Sequence, residues 1–200
     1  MRGNCALLDV GCGDGSLLQF LRSVGVDESR YVGIDLSSTM ISKAKYRLQY
    51  EKSKLKRKVI TGRKEKEPTF IHGNYLTSFR CQPPSKFSTI LFNGSFQFFS
   101  QTQWNPVLKQ ARFPFLNLFK LNQTNLNCYR SLLTVGSRLV ISHIHGSEFV
   151  KAEKDGNKHL NISIMPSYNE ISHICESVGF RPLPPTTNLE DFYLIILEAI

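Results

Sequence analysis

Gly11, Gly13 and Gly15 alternate with Cys12 and Asp14 between an apolar run that ends at Val10 and an amphipathic run that begins at Ser16. A glycine carries no Cβ, so the chain turns tightly there and a ligand can approach the backbone closely. Where a strand turns into a helix, such a loop suits a nucleotide-like cofactor. Asp35 stands twenty residues after Gly15, at the end of the next apolar run. A carboxylate at that point accepts hydrogen bonds from ribose hydroxyls. Two cofactors meet these requirements, a nicotinamide dinucleotide and S-adenosylmethionine. The dinucleotide pattern G-x-G-x-x-G/A would put its third small residue at Ser16, one position later than the third glycine here. A pyrophosphate also needs the positive end of the helix free of anions, yet Asp9 precedes the loop and Asp14 lies within it. Two carboxylates repel a diphosphate and attract the sulfonium and ammonium groups of S-adenosylmethionine.

A second group of side chains falls at the end of later apolar runs. Asn93, Gly94 and Phe96 follow one of them and are expected opposite the glycine loop. His143 ends another, and near neutral pH its imidazole can take a proton from an acceptor hydroxyl or thiol. His145 shares a strand face with it by period-two alternation, which leaves a metal pair or a structural role as alternatives; no metal is assigned. Methyl transfer from a sulfonium is an in-line displacement, so positioning and exclusion of water matter more than a base.

These residues need a scaffold of alternating strands and helices. Cys5–Val10, Tyr31–Asp35, Thr69–Gly73, Phe87–Asn93 and Ser137–Gly146 read as strands. Helices are predicted from Ser16, from Ser37 or Ser38, over Gln103–Arg112 and Asn125–Leu133, and over Pro166–Phe180 with closure at Gly179. Strands that alternate with helices pair in parallel. The last two predicted strands, Phe180–Leu183 and Phe192–Glu198, are too close in sequence for a helical crossover and should pair antiparallel. The fold class is therefore α/β: a doubly wound, Rossmann-like, mostly parallel seven-stranded sheet with a C-terminal antiparallel hairpin. A single domain over residues 1–200 fits the length. An apolar stretch at about 113–128 reads as an insert that packs on the body or grips a substrate.

The net charge of +9 is concentrated. Between Lys43 and Lys66 there are eleven basic residues and two acidic ones, so the rest of the chain is balanced. This segment is a solvated helix end and loop, or a surface for the phosphates of nucleic acid, RNA among them, or of acidic lipid, or an import signal through "KSKLKRK". Five scattered cysteines indicate neither a disulfide framework nor a zinc ribbon, and no run is long enough to span a membrane. An intracellular protein is expected, cytoplasmic in the first instance, with nucleus or organelle as alternatives.

"LDVGCGDG" followed by "VGIDLS" resembles the first two motifs of class I S-adenosylmethionine-dependent methyltransferases, with Asp9, Gly11, Gly13 and Gly15 on the D/E-x-G-x-G-x-G pattern. The resemblance implies that the loop, Cys12 included, holds the amino-acid end of the cofactor. It also implies that Asp35 holds the ribose and Asn74 in "HGNYL" the adenine, with Leu36 and Tyr75 as further cofactor contacts. The family commonly has an aspartate where Asn74 stands, but an amide oxygen can still accept from the adenine amino group. Asn93 completes the set of expected cofactor contacts. "RLVISHIHG" and "DFYLIIL" further resemble a plant and algal subgroup of small methyltransferase-like proteins. The acceptor is not specified by any motif; "NGSF" lacks the Asn/Asp-Pro-Pro-aromatic sequence of many amine-directed nucleic-acid enzymes. A noncatalytic RNA- or protein-binding module that keeps the fold, and an NAD-dependent oxidoreductase, stand as rival readings.

Overall fold

The computed structural model describes residues 6–55, 67–79, 87–112, 132–184 and 192–200. The insert at about 113–128 and the second half of the basic segment lie outside the described residues.

Seven strands form one sheet: β1 (Leu7–Val10), β2 (Tyr31–Asp35), β3 (Thr69–His72), β4 (Phe87–Asn93), β5 (Leu133–His143), β6 (Phe180–Pro182) and β7 (Tyr193–Ala199). Their spatial order is β3-β2-β1-β4-β5-β7-β6. β1 to β5 pair in parallel, while β7 runs antiparallel to both β5 and β6. The helices are α1 (Ser16–Ser23), α2 (Ser38–Leu55), α3 (Tyr75–Ser78), α4 (Gln101–Arg112), α5 (Gly146–Gly156) and α6 (Tyr168–Val178). This is the mostly parallel Rossmann-like sheet with antiparallel C-terminal strands that the alternation of elements predicts.

Side-chain alternation divides the core between the two sheet faces. Leu8, Val10, Ile34 and Ile71 point to one face and meet Trp104, Val107 and Leu108 of α4 and Ile171 and Cys175 of α6 in one cluster. Leu7, Tyr31 and Phe70 point to the other and meet Leu18 of α1 and Ile41, Ala44 and Leu48 of α2. The switch in strand order falls between β1 and β4, where chains leave the sheet in opposite directions and a cleft opens beyond the carboxyl ends.

The end of the chain is punctuated as its sequence suggests. Ser167 and Glu170 form a reciprocal capping box at the start of α6, and Gly179 closes the helix at φ 74°, a left-handed conformation that glycine adopts without penalty. The structure departs from the expected elements around β5. Leu133, read as the end of a helix, opens β5, and the turn at Gly136 is a bulge inside that strand, where the register against β4 shifts. β5 stops at His143, so His145 is not on it; His145 instead precedes α5, a helix that the sequence reading did not include. The apolar content of α5 is low and Val150 is its buried side chain apart from the glycine at its start, which leaves little periodicity to detect.

Candidate functional site

The loop after β1 is held by the neighbouring strand. The Gly11 and Cys12 amides both donate to the Ile34 carbonyl, at 2.8 and 3.1 Å, and the Gly15 amide donates to the Cys12 carbonyl at 3.0 Å. The Gly13 amide donates to Asp35 Oδ2 at 2.9 Å, and Asp35 Oδ1 accepts from the Ser37 amide at 2.8 Å. Asp35 thus ties the glycine loop to the start of α2. Two of a carboxylate's roughly four lone-pair sites remain for a ligand.

The glycines are required for different reasons. Gly11 has φ 75°, and a Cβ there would lie 2.4 Å from Ser95 Cβ, so this glycine makes room for protein. Gly13 has φ 55°, and a Cβ there would meet nothing within 4 Å, so its bare side faces open space. Cys12 turns its thiol inward, against Gly33, whose added Cβ would lie 2.7 Å from the sulfur. Burial pushes that thiol's pKa well up, which keeps it protonated and unreactive. Its contribution to a ligand is limited to the backbone.

The two aspartates next to the loop have separate fates. Asp9 lies on the α1/α2 side of the sheet, is 3 % exposed and accepts a hydrogen bond from the Tyr31 hydroxyl. Burial raises its pKa to about 6; the Tyr31 hydrogen bond opposes this and the Asp35 charge adds to it. Asp14 is drawn away from the loop: its carboxylate pairs with Arg47 of α2 and accepts from the Ser16 amide at 3.1 Å. The Arg47 guanidinium offsets the Asp14 charge and so weakens its repulsion of a diphosphate.

A cavity of about 270 Å³ sits at the switch point. Val10, Gly11, Ile34, Asp35, Leu36, Gly73, Asn74 and Tyr75 line one part of it, and Gly94, Ser95, Phe98, Phe99 and Gln103 another. Asp35 is the one charged side chain among these lining residues. Of the residues singled out in the sequence, Gly11, Asp35, Leu36, Asn74, Tyr75 and Gly94 come together at this cavity, whereas Phe96 is buried in the core. Gly13 and Gly15 belong to the adjoining loop, while Asp9, Cys12 and Asn93 are not among the lining residues.

Asn74 caps α3, its Oδ1 accepting from the Leu76 amide at 2.8 Å. Tyr75 is 3 % exposed, its ring edge-to-face with Phe92 at 5.4 Å and its hydroxyl donating to the Val107 carbonyl at 3.4 Å. It serves as a rigid floor. Leu36 is 69 % exposed beside it. Asn93 accepts from the Ser142 hydroxyl at 3.1 Å and so joins the ends of β4 and β5. His143 is buried next to Gly94 and stacks on Phe149, centroids 5.7 Å apart. Its Nδ1 accepts from the His145 amide at 3.3 Å. Burial lowers its pKa, the nearby His145 lowers it further, and Glu153 opposes the shift.

Sequence reasoning missed Ser95 and Arg47. Ser95 donates to the Val10 carbonyl and fills the space beside Gly11, and Arg47 turns Asp14 aside. Each acts across a sequence separation that no local pattern encodes; for Ser95, the one available signal was its position two residues beyond the end of a buried strand.

Comparisons with known proteins agree with this architecture. The PH0226 protein of Pyrococcus horikoshii is 18 % identical, with a TM-score of 0.62 over 100 % of this chain and 84 % of that one. Magnesium protoporphyrin IX methyltransferase of Synechocystis, in a structure with bound SAH, is 19 % identical, with a TM-score of 0.59 over 98 % and 73 %. A SAM-dependent methyltransferase of Methanosarcina mazei is 15 % identical, with a TM-score of 0.60 over 100 % and 94 %. No curated protein matches the sequence significantly. The sequence model of a methyltransferase domain family matches residues 2–179, nearly the whole chain and every element that builds the cleft, and the protein belongs to that family.

Proposed function

We propose that the cleft binds S-adenosylmethionine and that the protein passes its methyl group to an acceptor by in-line displacement. The observation that carries this reading is the polarity of the cavity: its lining offers one carboxylate, Asp35, and no cation for a diphosphate. The open face of Gly13 supplies the bare backbone that a close ligand needs.

In this reading the free lone pairs of Asp35 accept the ribose hydroxyls, with Leu36 covering the sugar. Asn74 has one Oδ1 lone pair left after capping α3, which takes the adenine amino group, and Tyr75 supports the ring from below. The backbone of Gly11, Cys12, Gly13 and Gly15 cradles the amino-acid end. Asp9, ionised above about pH 6, adds a negative field beneath it. When bound, the cofactor supplies a methyl carbon made electrophilic by its sulfonium. Phe98 and Phe99 exclude water from that end of the cavity, and Asn93 keeps the ends of β4 and β5 together.

In this reading His143 takes a different role from the base that its position in the sequence suggests. An imidazole whose Nδ1 accepts from a backbone amide carries its proton on Nε2 when neutral, so it donates there and does not accept. The low pKa keeps it neutral at pH 7. We assign His143 the task of orienting an acceptor by donation, which fits a nucleophile that already has a free lone pair.

The finer likeness to a plant and algal subgroup rests on the sequence around β5 and β7 alone. RNA contact through residues 43–66 remains part of the reading, supported by the charge confined to that segment.

Calorimetry with S-adenosylhomocysteine tests the cofactor assignment. Wild type is expected to bind in the micromolar range and to ignore NAD, and Gly13→Val to lose roughly 100-fold or more in affinity by steric exclusion. Equal binding by both proteins, or NAD binding in place of S-adenosylhomocysteine, overturns it.

A further inference from the structure

α2 buries Ile41, Ala44 and Leu48 against the sheet and leaves its opposite face in solvent. Lys43, Tyr46, Tyr50 and Lys54 are spaced at three, four and four residues, which stacks them along one stripe of that outer face. The two tyrosines are exposed, Tyr46 by 70 % and Tyr50 by 51 %. Their rings lie nearly parallel, 11° between planes with centroids 6.4 Å apart. Lys54 Nζ sits 4.3 Å over the Tyr50 ring. Among the described residues, Lys52 is the one lysine of this helix held in an ion pair, with Glu67; Lys43 and Lys45 are exposed, and the exposed Lys54 rests on the Tyr50 ring.

We propose that the outer face of α2 is a platform for single-stranded RNA, on which bases stack against Tyr46 and Tyr50 while Lys43 and Lys54 meet the flanking phosphates. The proposal rests on the reading of residues 43–66 as an RNA-facing segment and assigns its base-stacking part to particular side chains. Every base has a π-face, so two parallel phenol rings on a basic ridge recognise unpaired bases without sequence preference. Duplex RNA hides those faces and is matched by phosphate contacts alone. An anionic membrane is matched less well, because this stripe carries phenols and lysines where membrane-surface helices carry a broad face of Leu, Phe or Trp. The platform stands apart from the cofactor cleft but is linked to it: Arg47, between the two tyrosines, is the residue that pairs with Asp14 of the glycine loop.

The test is fluorescence anisotropy of the full chain with a labelled single-stranded oligoribonucleotide of about 12 nucleotides, over about 50 to 200 mM salt. Wild type is expected to bind with a steep salt dependence. Tyr46→Ala with Tyr50→Ala should weaken binding roughly ten-fold or more and leave the salt slope unchanged, whereas Tyr46→Phe with Tyr50→Phe should retain it. Lys43→Gln with Lys54→Gln should reduce the slope by about 1.4, two single-strand phosphate contacts. All four positions are on the surface, and equal thermal unfolding of the variants shows that a lost signal is lost binding. If the alanine pair binds like wild type, the platform is wrong and the wider basic segment alone contacts RNA. If wild type shows no binding even at low salt, the RNA-facing reading fails together with the platform. If duplex RNA or phosphatidylserine vesicles respond to the alanine pair more strongly than the single strand does, the surface serves another partner and the proposal falls.

Discussion

The Gly13 amide donates to the Asp35 carboxylate at 2.9 Å, so the loop residue whose bare side faces open space is held in place by the one charged side chain of the neighbouring cavity's lining. One side chain thereby braces the loop and, in the proposed reading, has its remaining lone pairs free for a ligand. Asp35→Ala is expected to lower S-adenosylhomocysteine affinity about 10- to 100-fold, the worth of hydrogen bonds to a charged group, and to lower stability as well. Asp35→Asn keeps an acceptor for one of the two jobs and should fall between. Calorimetry and thermal unfolding on the same samples separate the two losses.

Gly11 and Gly13 should respond oppositely. Gly11→Ala pushes a methyl into Ser95 at a positive φ and is expected to destabilise the fold by about 2 to 5 kcal/mol. Adding Ser95→Gly removes the obstructing side chain and should recover part of that loss in a denaturant titration. Gly13→Ala meets no protein atom, so its cost should stay near the 1 to about 2 kcal/mol of a left-handed alanine while ligand binding suffers most. A Gly13 variant as unstable as the Gly11 variant would refute this division.

Asp9 should make both ligand binding and stability depend on pH near 6. Its folded pKa lies above the ordinary carboxylate value, so the folded chain binds the extra proton first. Acidification from neutral pH through about 6 toward 4 therefore stabilises the free protein on this group's account, by on the order of 3 kcal/mol at most. Asp9→Asn should be more stable than wild type at about pH 7.5, with the gap narrowing below about pH 6 and closing toward about pH 4. A cationic ligand favours the ionised form, so its binding should release a proton near pH 6 and weaken below it. Calorimetry in buffers of different ionisation enthalpy measures that release; none at pH 6 would contradict the assignment of Asp9.

His143 should titrate below the ordinary histidine value and carry its proton on Nε2. Nitrogen-15 NMR of the ring reads both directly. On this group's account stability falls as pH drops below about 6.5, where the unfolded chain takes up the proton more readily, opposite in sense to Asp9. A ring found with the proton on Nδ1 would restore the role of base.

Much of the sheet is legible in the order of apolar runs and turns, because strands buried on both faces read as short Val, Ile and Leu segments bounded by glycine. The limits of β5 were harder. A sequence with Gly136 in it reads as a turn, yet the chain continues as strand on both sides because Leu133 pairs with Phe87 across the sheet. His143 and His145 look alike in sequence and end on different elements, since the strand stops where its neighbours β4 and β7 stop supplying partners.

The sequence by itself determined the bend after β1, the carboxylate at the end of β2 and the family they belong to, since backbone sterics and strand-end positions are set by neighbouring residues. Only the tertiary structure decided that Asp14 turns to Arg47, that Ser95 fills the space beside Gly11, and that His143 Nδ1 faces the His145 amide. Those outcomes depend on which distant side chains the buried faces bring together, and burial is a property of the assembled sheet and helices.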